Sequence, residues 1–203
     1  MSNIYGRLYP RIIYEDGHVL KTIKLIIQNR LKGVFAISNL RLSDQQAQEL
    51  IKVLKEILKK HNVNFQTNPR GSIKLETIDE RRLTLHYNIS QNIEGKYSIH
   101  LMDNLTKHTL IRLNVQNDNT FHKNANGERV YGNRVLVFSS EEYYLKKDGY
   151  THYRAYPLPY HGTLDAEETF IKTLDNFLSY TNTNGIDKIN VITTNIQMEL
   201  KLF

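Results

Sequence analysis

Apolar residues in this chain keep two different periods, and the change between them falls near residue 70. Ala47, Leu50, Ile51, Leu54, Ile57 and Leu58 recur at three- and four-residue spacing, the period of one helix face. Ser43 and Gln46 precede that run as an S-x-x-Q capping box, in which each side chain satisfies a backbone N–H of the first turn. The spacing predicts an amphipathic helix from Ser43 to about Lys60, with Lys52, Lys55 and Lys59 along its outer side. Asn68-Pro69-Arg70-Gly71 then breaks the chain. Beyond the break, Ile73/Leu75, Leu83/Leu85/Tyr87/Ile89, Tyr97/Ile99/Leu101 and Ile111/Leu113/Val115 alternate with polar residues. Turn-rich pieces at 79–80, 92–95 and 103–107 separate these runs, which predicts an antiparallel meander with one buried face.

The remaining pattern is plainer at the C-terminal end than at the N-terminal one. A loop over 116–129 leads to a strand at 133–138, and 141–160 reads as a Tyr-rich hairpin turning at Lys147-Asp148-Gly149. Asp165 and Glu168 are expected to cap a second amphipathic helix that turns Phe170, Ile171, Leu174, Phe177 and Leu178 inward. Asn184-Gly185 closes that helix, and 188–199 reads as a final strand. At the other end, Glu15-Asp16-Gly17 is a tight-turn signal between 9–14 and 19–27. Leu20, Ile23 and Ile27 would equally suit a helix for the second arm, and 34–37 is a short candidate strand. The fold class expected is α+β: a central antiparallel β-meander packed by two amphipathic helices. Residues 1–68 form a basic hairpin-plus-helix portion, either a small subdomain or one edge of the same core, and 69–203 hold the sheet with the C-terminal helix.

Composition narrows the chemistry. Of 203 residues, 40% are apolar and 24% charged, the balance of a folded chain, and no apolar run nears the ~18 residues of a membrane span. Cysteine is absent, so disulfides, thiolate metal sites and cysteine nucleophiles are excluded. Asn is abundant, with Lys and Ile also common, a coding bias of AT-rich genes. Met1 to Arg7 lacks the pattern of a secretory leader, so the expected location is cytoplasmic. The net charge of +6 is lopsided: residues 1–78 carry +7 and residues 79–203 carry −1. A concentrated positive field attracts polyanions or an acidic partner surface.

No phosphate-binding glycine loop occurs, and the eight His show no metal-ligand spacing, so no metal and no cofactor are expected. His86 and His100 are out of phase with their apolar neighbours, so both face away from the core and are placed to pair across neighbouring strands. Such a pair is more often solvated than metal-binding. The stretch 122–160 is the most suggestive. There Lys123, Lys146, Lys147 and Arg154 interleave with Tyr150, Tyr153 and Tyr156, cations for phosphates and rings for bases. Tyr in alternating strands also packs on sheet faces, and Tyr-rich surfaces suit protein interfaces.

The segments Ile111-Arg112-Leu113-Asn114, His122-Lys123-Asn124-Ala125-Asn126-Gly127, Tyr131-Gly132 and Ala155-Tyr156-Pro157-Leu158 resemble an uncharacterised family of small bacterial and phage proteins. That family has a His-x-Asn-Pro-Asp-Gly-type turn, a His-x-His strand and an Ala-Tyr-Pro-Leu-type segment. The resemblance spans about residues 80–160 and maps onto Arg112, His122, Asn124, Gly127 and Gly132. Ala125-Asn126 stands where the family has Pro-Asp, and 133–138 replaces the His-x-His strand. What the resemblance implies is a mobile-element setting, where small proteins act as toxins, antitoxins or inhibitors.

Three readings follow. The first is a binding protein that inhibits a larger nucleic-acid-processing or defence complex, protein or ribonucleoprotein. Its basic, Tyr-rich surface would comprise Lys52, Lys55, Lys59, Lys123, Lys146, Lys147, Arg154, Tyr150, Tyr153 and Tyr156, with no membrane and no catalytic group involved. The second is a metal-independent ribonuclease of toxin type, using His122 with Arg112, Arg134, Arg154 or Lys123. The third is a plain RNA- or DNA-binding module.

Overall fold

The structure, a computed structural model, describes residues 40–64, 68–116 and 118–191. The expected N-terminal hairpin, the 34–37 strand and the part of the final strand beyond Val191 lie outside the described residues. The compact unit that carries the sheet begins at Arg41.

The capping box forms as the sequence spells it. The Ser43 hydroxyl accepts from the Gln46 N–H at 3.2 Å, and the Gln46 side chain accepts from the Ser43 N–H at 3.0 Å. Helix α1 (Asp44–Lys52) follows, burying Ala47 and Ile51. It does not continue to Lys60. Val53 turns extended (φ −59°, ψ 145°), and the chain enters strand β1 (Lys55–Ile57). Helical spacing assigns Leu54 and Leu58 to the core, but strand alternation buries Lys55 and Ile57 and leaves both leucines exposed.

The reason lies in Lys55, which is fully buried. Its ammonium donates to the carbonyls of Ile51 at 2.8 Å, Val53 at 2.6 Å and Thr181 at 2.6 Å. The first two are orphan carbonyls at the end of α1. Thr181 is the C-cap of helix α3 (Phe170–Tyr180). A cation set at two helix C-termini meets the negative ends of both macrodipoles and supplies the donors that those ends lack. The expected place of Lys55 on an outer basic surface is therefore corrected: three carbonyls outweigh the exposure that a long helix would have given it.

β1 is one strand of an eight-stranded sheet with the order β10-β9-β6-β5-β4-β3-β1-β11. The others are β3 (Arg70–Thr77), β4 (Arg82–Ile89), β5 (Tyr97–Asp103), β6 (Thr109–Val115), β9 (Arg134–Phe138), β10 (Tyr153–Pro157) and β11 (Thr183–Asn184). All pairings are antiparallel except β1 with β11. Two short pairs complete it: β2 (His61–Val63) with β12 (Ile189–Val191), and β7 (Phe121–Lys123) with β8 (Arg129–Tyr131). The β7–β8 hairpin occupies what reads from sequence as a loop over 116–129, turning through Gly127 at φ 90°.

Register sorts the side chains onto two faces. One face carries Ile73, Leu85, Leu101, Ile111 and Val137 in a continuous cross-strand row, all buried. Leu83, Ile99, Leu113 and Val135 share that face, and α3 covers it with Leu174, Phe177 and Leu178. Phe170 meets the rings of Tyr87 and Tyr97, and the Tyr97 hydroxyl lies 2.7 Å from Thr173 Oγ1. The cap of α3 is Thr169, not Asp165 or Glu168: its hydroxyl accepts from the Lys172 N–H, while Glu168 pairs with the Lys172 ammonium at 2.6 Å. The first arm of the expected 141–160 hairpin is instead helix α2 (Ser140–Lys146). Ser139 caps it by accepting from the Glu142 N–H, two acids sit in its first turn, and Lys147 ends it in the left-handed region.

At one end of the core, buried Asp103 accepts from Arg81 Nε and Nη2 at 2.8 Å each and from the Thr106 N–H at 2.9 Å. Burial pushes the Asp103 carboxyl up, but the hydrogen bonds from Arg81 and Thr106 outweigh it and hold the group below the usual value.

Replacing Lys55 by Met should strand three buried carbonyls and cost ~2–4 kcal/mol by urea unfolding. Burial, with the Lys52 charge second, pushes the Lys55 pKa down to about 7. The unfolded chain keeps this proton to about pH 10.5, so it binds more protons between those values. The stability of the native protein relative to Lys55→Met should therefore rise with pH from about 7 upward. Asp103→Asn should cost ~3–5 kcal/mol at neutral pH. The native advantage over that variant is present above the unfolded carboxyl pKa and should shrink as pH falls below it, read by denaturation at stepped acidic pH.

Candidate anion-binding face

The opposite face of the sheet is polar across five strands. Register places Arg70, Asn88, Ser98, Asn114 and Arg134 in one cross-strand row. Ser72, His86, His100 and Arg112 form the next, which runs on into apolar Leu136 and Ala155. Lys74 and Thr84 begin a third. Strand alternation places His86, His100 and Arg112 there, each between two buried residues, and register brings the strand-end residues Arg70 and Arg134 into line with them.

The first two rows line a cavity of about 400 Å³ walled by Arg70, Asn88, Ser98, His86, His100 and Arg112. A smaller cavity of about 160 Å³ continues past Asn88, Ser98 and Arg112 to Lys96, Asn114 and Gln116. Gly71 leaves room for the Tyr87 phenol on the helix-bearing side, where a Cβ would run into that ring. The His86 and His100 rings stack with centroids 4.8 Å apart and planes 21° from parallel. Burial, then His86 and Arg112, pushes the His100 pKa down to about 4; burial and Lys74 lower that of His86.

Arg112 lies along the face, donating from Nε to Asn114 Oδ1 at 2.9 Å and from Nη2 to Ser98 Oγ at 3.3 Å. Arg70 Nε donates to Asn88 Oδ1 at 2.9 Å. Arg134, only 7% exposed, donates from Nη1 to the carbonyls of Gly132 and Thr120, and the Gln116 amide, turned over so that its oxygen faces the guanidinium, accepts from both of its amino groups. Burial and the nearby Arg112 charge lower the Arg134 pKa. Among the described residues, no carboxylate pairs with Arg70, Lys74, Arg112 or Arg134. Two guanidinium groups close enough to disfavour each other, with neutral partners only, make a site electrostatically incomplete without an anion.

The β7–β8 hairpin forms one rim. Val130 packs on Leu136 and Ala155, and the Asn124 amide bonds both the N–H and the carbonyl of Ala155 at 2.9 and 3.0 Å. His122 Nε2 lies 3.3 Å from the Lys146 ammonium, which in turn pairs with buried Glu142 at 3.5 Å. Burial, then Lys146 and Arg134, pushes His122 down to about 4.

The residues singled out from the sequence thus divide. Arg112, Arg134 and His122 gather around this face. Arg154 does not join them: it pairs across strands with Val137 on the helix-bearing side and ion-pairs with Glu128 and Glu141. Tyr153 packs with Val130, Leu136 and Ala155, whereas Tyr156, three positions along the same strand, emerges on the other face beside Tyr160. Tyr150 is 71% exposed, and Lys59, Lys123 and Lys147 are exposed apart from one another in the sequence. Lys52 lies 3.9 Å over the Tyr180 ring. Lys55 is buried. The cross-strand placement of His86 and His100 is as their phase indicates; the meeting of Arg70 and Arg112 with them requires register, which the alternating pattern does not encode.

Among the described residues, no group of three or more His, Asp or Glu side chains is placed to hold a metal ion, and no helix is long and apolar enough to cross a membrane. No curated protein and no solved structure matches this chain. A family model, described as a family of unknown function (DUF6978), matches residues 42–183, from the start of α1 to β11. The match takes in the sheet up to Thr183, the helices α1 to α3 and the rows of the polar face, and the chain belongs to that family.

Proposed function

We propose that this protein binds single-stranded nucleic acid, holding its phosphodiester backbone across the polar sheet face. One observation carries the reading: Arg70, Lys74 and Arg112 share that face, with Arg134 buried beside them, and none of the four pairs with a described carboxylate. Phosphate oxygens supply the missing negative charge, and charge-assisted bonds to guanidinium are strong. Asn88, Ser98 and Asn114 add neutral donors and acceptors between the cations, while the stacked imidazoles offer a ring surface of the kind that bases stack on. A flat face with shallow cavities suits a splayed single strand better than a duplex, whose grooves call for a protruding helix or ribbon.

The inhibitor role expected from the sequence rests on a different set of Lys, Arg and Tyr residues, but this face would serve it as well. A surface that takes a nucleic-acid backbone competes for it with any complex that processes it.

Anisotropy titrations of labelled RNA and DNA single strands against salt test this. Binding should weaken as salt rises, and Arg70→Ala or Arg112→Ala should each lower affinity about tenfold and flatten the salt slope by ~0.7. Arg82→Ala, at the far end of β4 and paired with Glu76, should change neither. Absence of binding at low salt, or equal loss with Arg82→Ala, defeats the reading.

A further inference from the structure

Resting on that reading, we infer that the strand held here is RNA and that His86 and His100 cleave it, with Arg112 steadying the charge that develops on phosphorus. The argument begins from position. Two imidazoles stack 4.8 Å apart on adjacent strands, and Arg112 is the cross-strand neighbour of His100 on the next. All three line one cavity with Arg70 and Ser98. An acid, a base and a fixed cation are what transesterification of a phosphodiester by its own 2′-hydroxyl requires.

The step balances without a further reactant. His100 takes the 2′-hydroxyl proton as O2′ bonds to phosphorus. The P–O5′ bond breaks, and His86, protonated, gives its proton to O5′. The products are a 2′,3′-cyclic phosphate and a 5′-hydroxyl. The roles follow from the surroundings: His100 is pressed towards neutrality by burial and Arg112 more than His86 is by burial and Lys74, so the pair's single proton resides on His86. The charged groups facing the pair are Lys74 from β3 and Arg112 from β6, with Arg70 at the cavity wall. All are cations, so the pair holds one proton only on the acid side of neutrality, and cleavage peaks below the ordinary imidazole value of 6.5. DNA lacks the nucleophile and is bound intact.

The test uses the full chain, a labelled RNA strand and its 2′-deoxy counterpart, with EDTA present. The expected result is RNA cut to 2′,3′-cyclic phosphate ends with a rate maximum on the acid side of about pH 6.5, and the deoxy strand bound but uncut. His86→Ala and His100→Ala should each slow single-turnover cleavage at saturating protein by about 100-fold or more, beyond any loss of deoxy-strand affinity. Arg112→Ala should lower both. RNA that binds but stays whole from about pH 4.5 to about pH 8, or cleavage that survives both His substitutions, overturns the inference and leaves the binding reading standing. Failure to bind either strand overturns both.

Discussion

Three backbone carbonyls from the ends of two helices converge on one buried ammonium, and the architecture on either side of it follows from that meeting. The chain leaves α1 at Lys52, enters the sheet at Lys55 between β3 and β11, and holds the C-terminus of α3 there through Thr181. Each partner group would otherwise be a costly orphan: an unpaired charge in the interior, or unpaired carbonyls at a helix end. Together they hold the ends of both helices on the apolar side of the sheet. That side then has its cover, with Phe170, Leu174 and Phe177 closing over Tyr87, Tyr97 and Ile99.

What remains is the other side, and its character follows from strand geometry. Residues that alternate with buried neighbours emerge opposite, which places His86, His100 and Arg112, and register adds Arg70 and Arg134 from the strand ends, although up to 64 positions separate these residues in the chain. A sheet face used only for solvation would mix the two signs of charge, as β3 and β4 do at Glu76 and Arg82. Here the cations meet amides, hydroxyls and one another. Like charges held close are a standing cost, and a phosphate backbone is the chemistry that removes it.

The site is legible in part from the sequence. The phase of His86 and His100 within the alternating strands indicates both their outward direction and their pairing, because period two is a local property of the backbone. Arg112, Arg134 and His122 are candidates by residue type, yet nothing local separates them from Arg154, which register sends to the helix-bearing side and into contact with Glu128 and Glu141. Arg70 reads only as part of a chain break. The S-x-x-E signal at Ser139 and Glu142 is present in the sequence and announces α2, but the density of Tyr around it resembles a strand.

By itself the sequence determined the elements whose signals are contained within a few residues: the capping box of α1, the period-two strands from Ile73 to Val115, and the inward stripe of α3 apart from Ile171, which is exposed. Only the tertiary structure decided where α1 stops, which of Leu54, Lys55, Ile57 and Leu58 are inside, and which cations share a face. Those outcomes turn on partners far away in the chain, such as the Thr181 carbonyl for Lys55 and the Leu136 strand for Arg112. Local propensity is worth a few tenths of a kcal/mol per residue, whereas a buried ammonium or an unpaired carbonyl commits several, so the long-range term prevails where the two disagree.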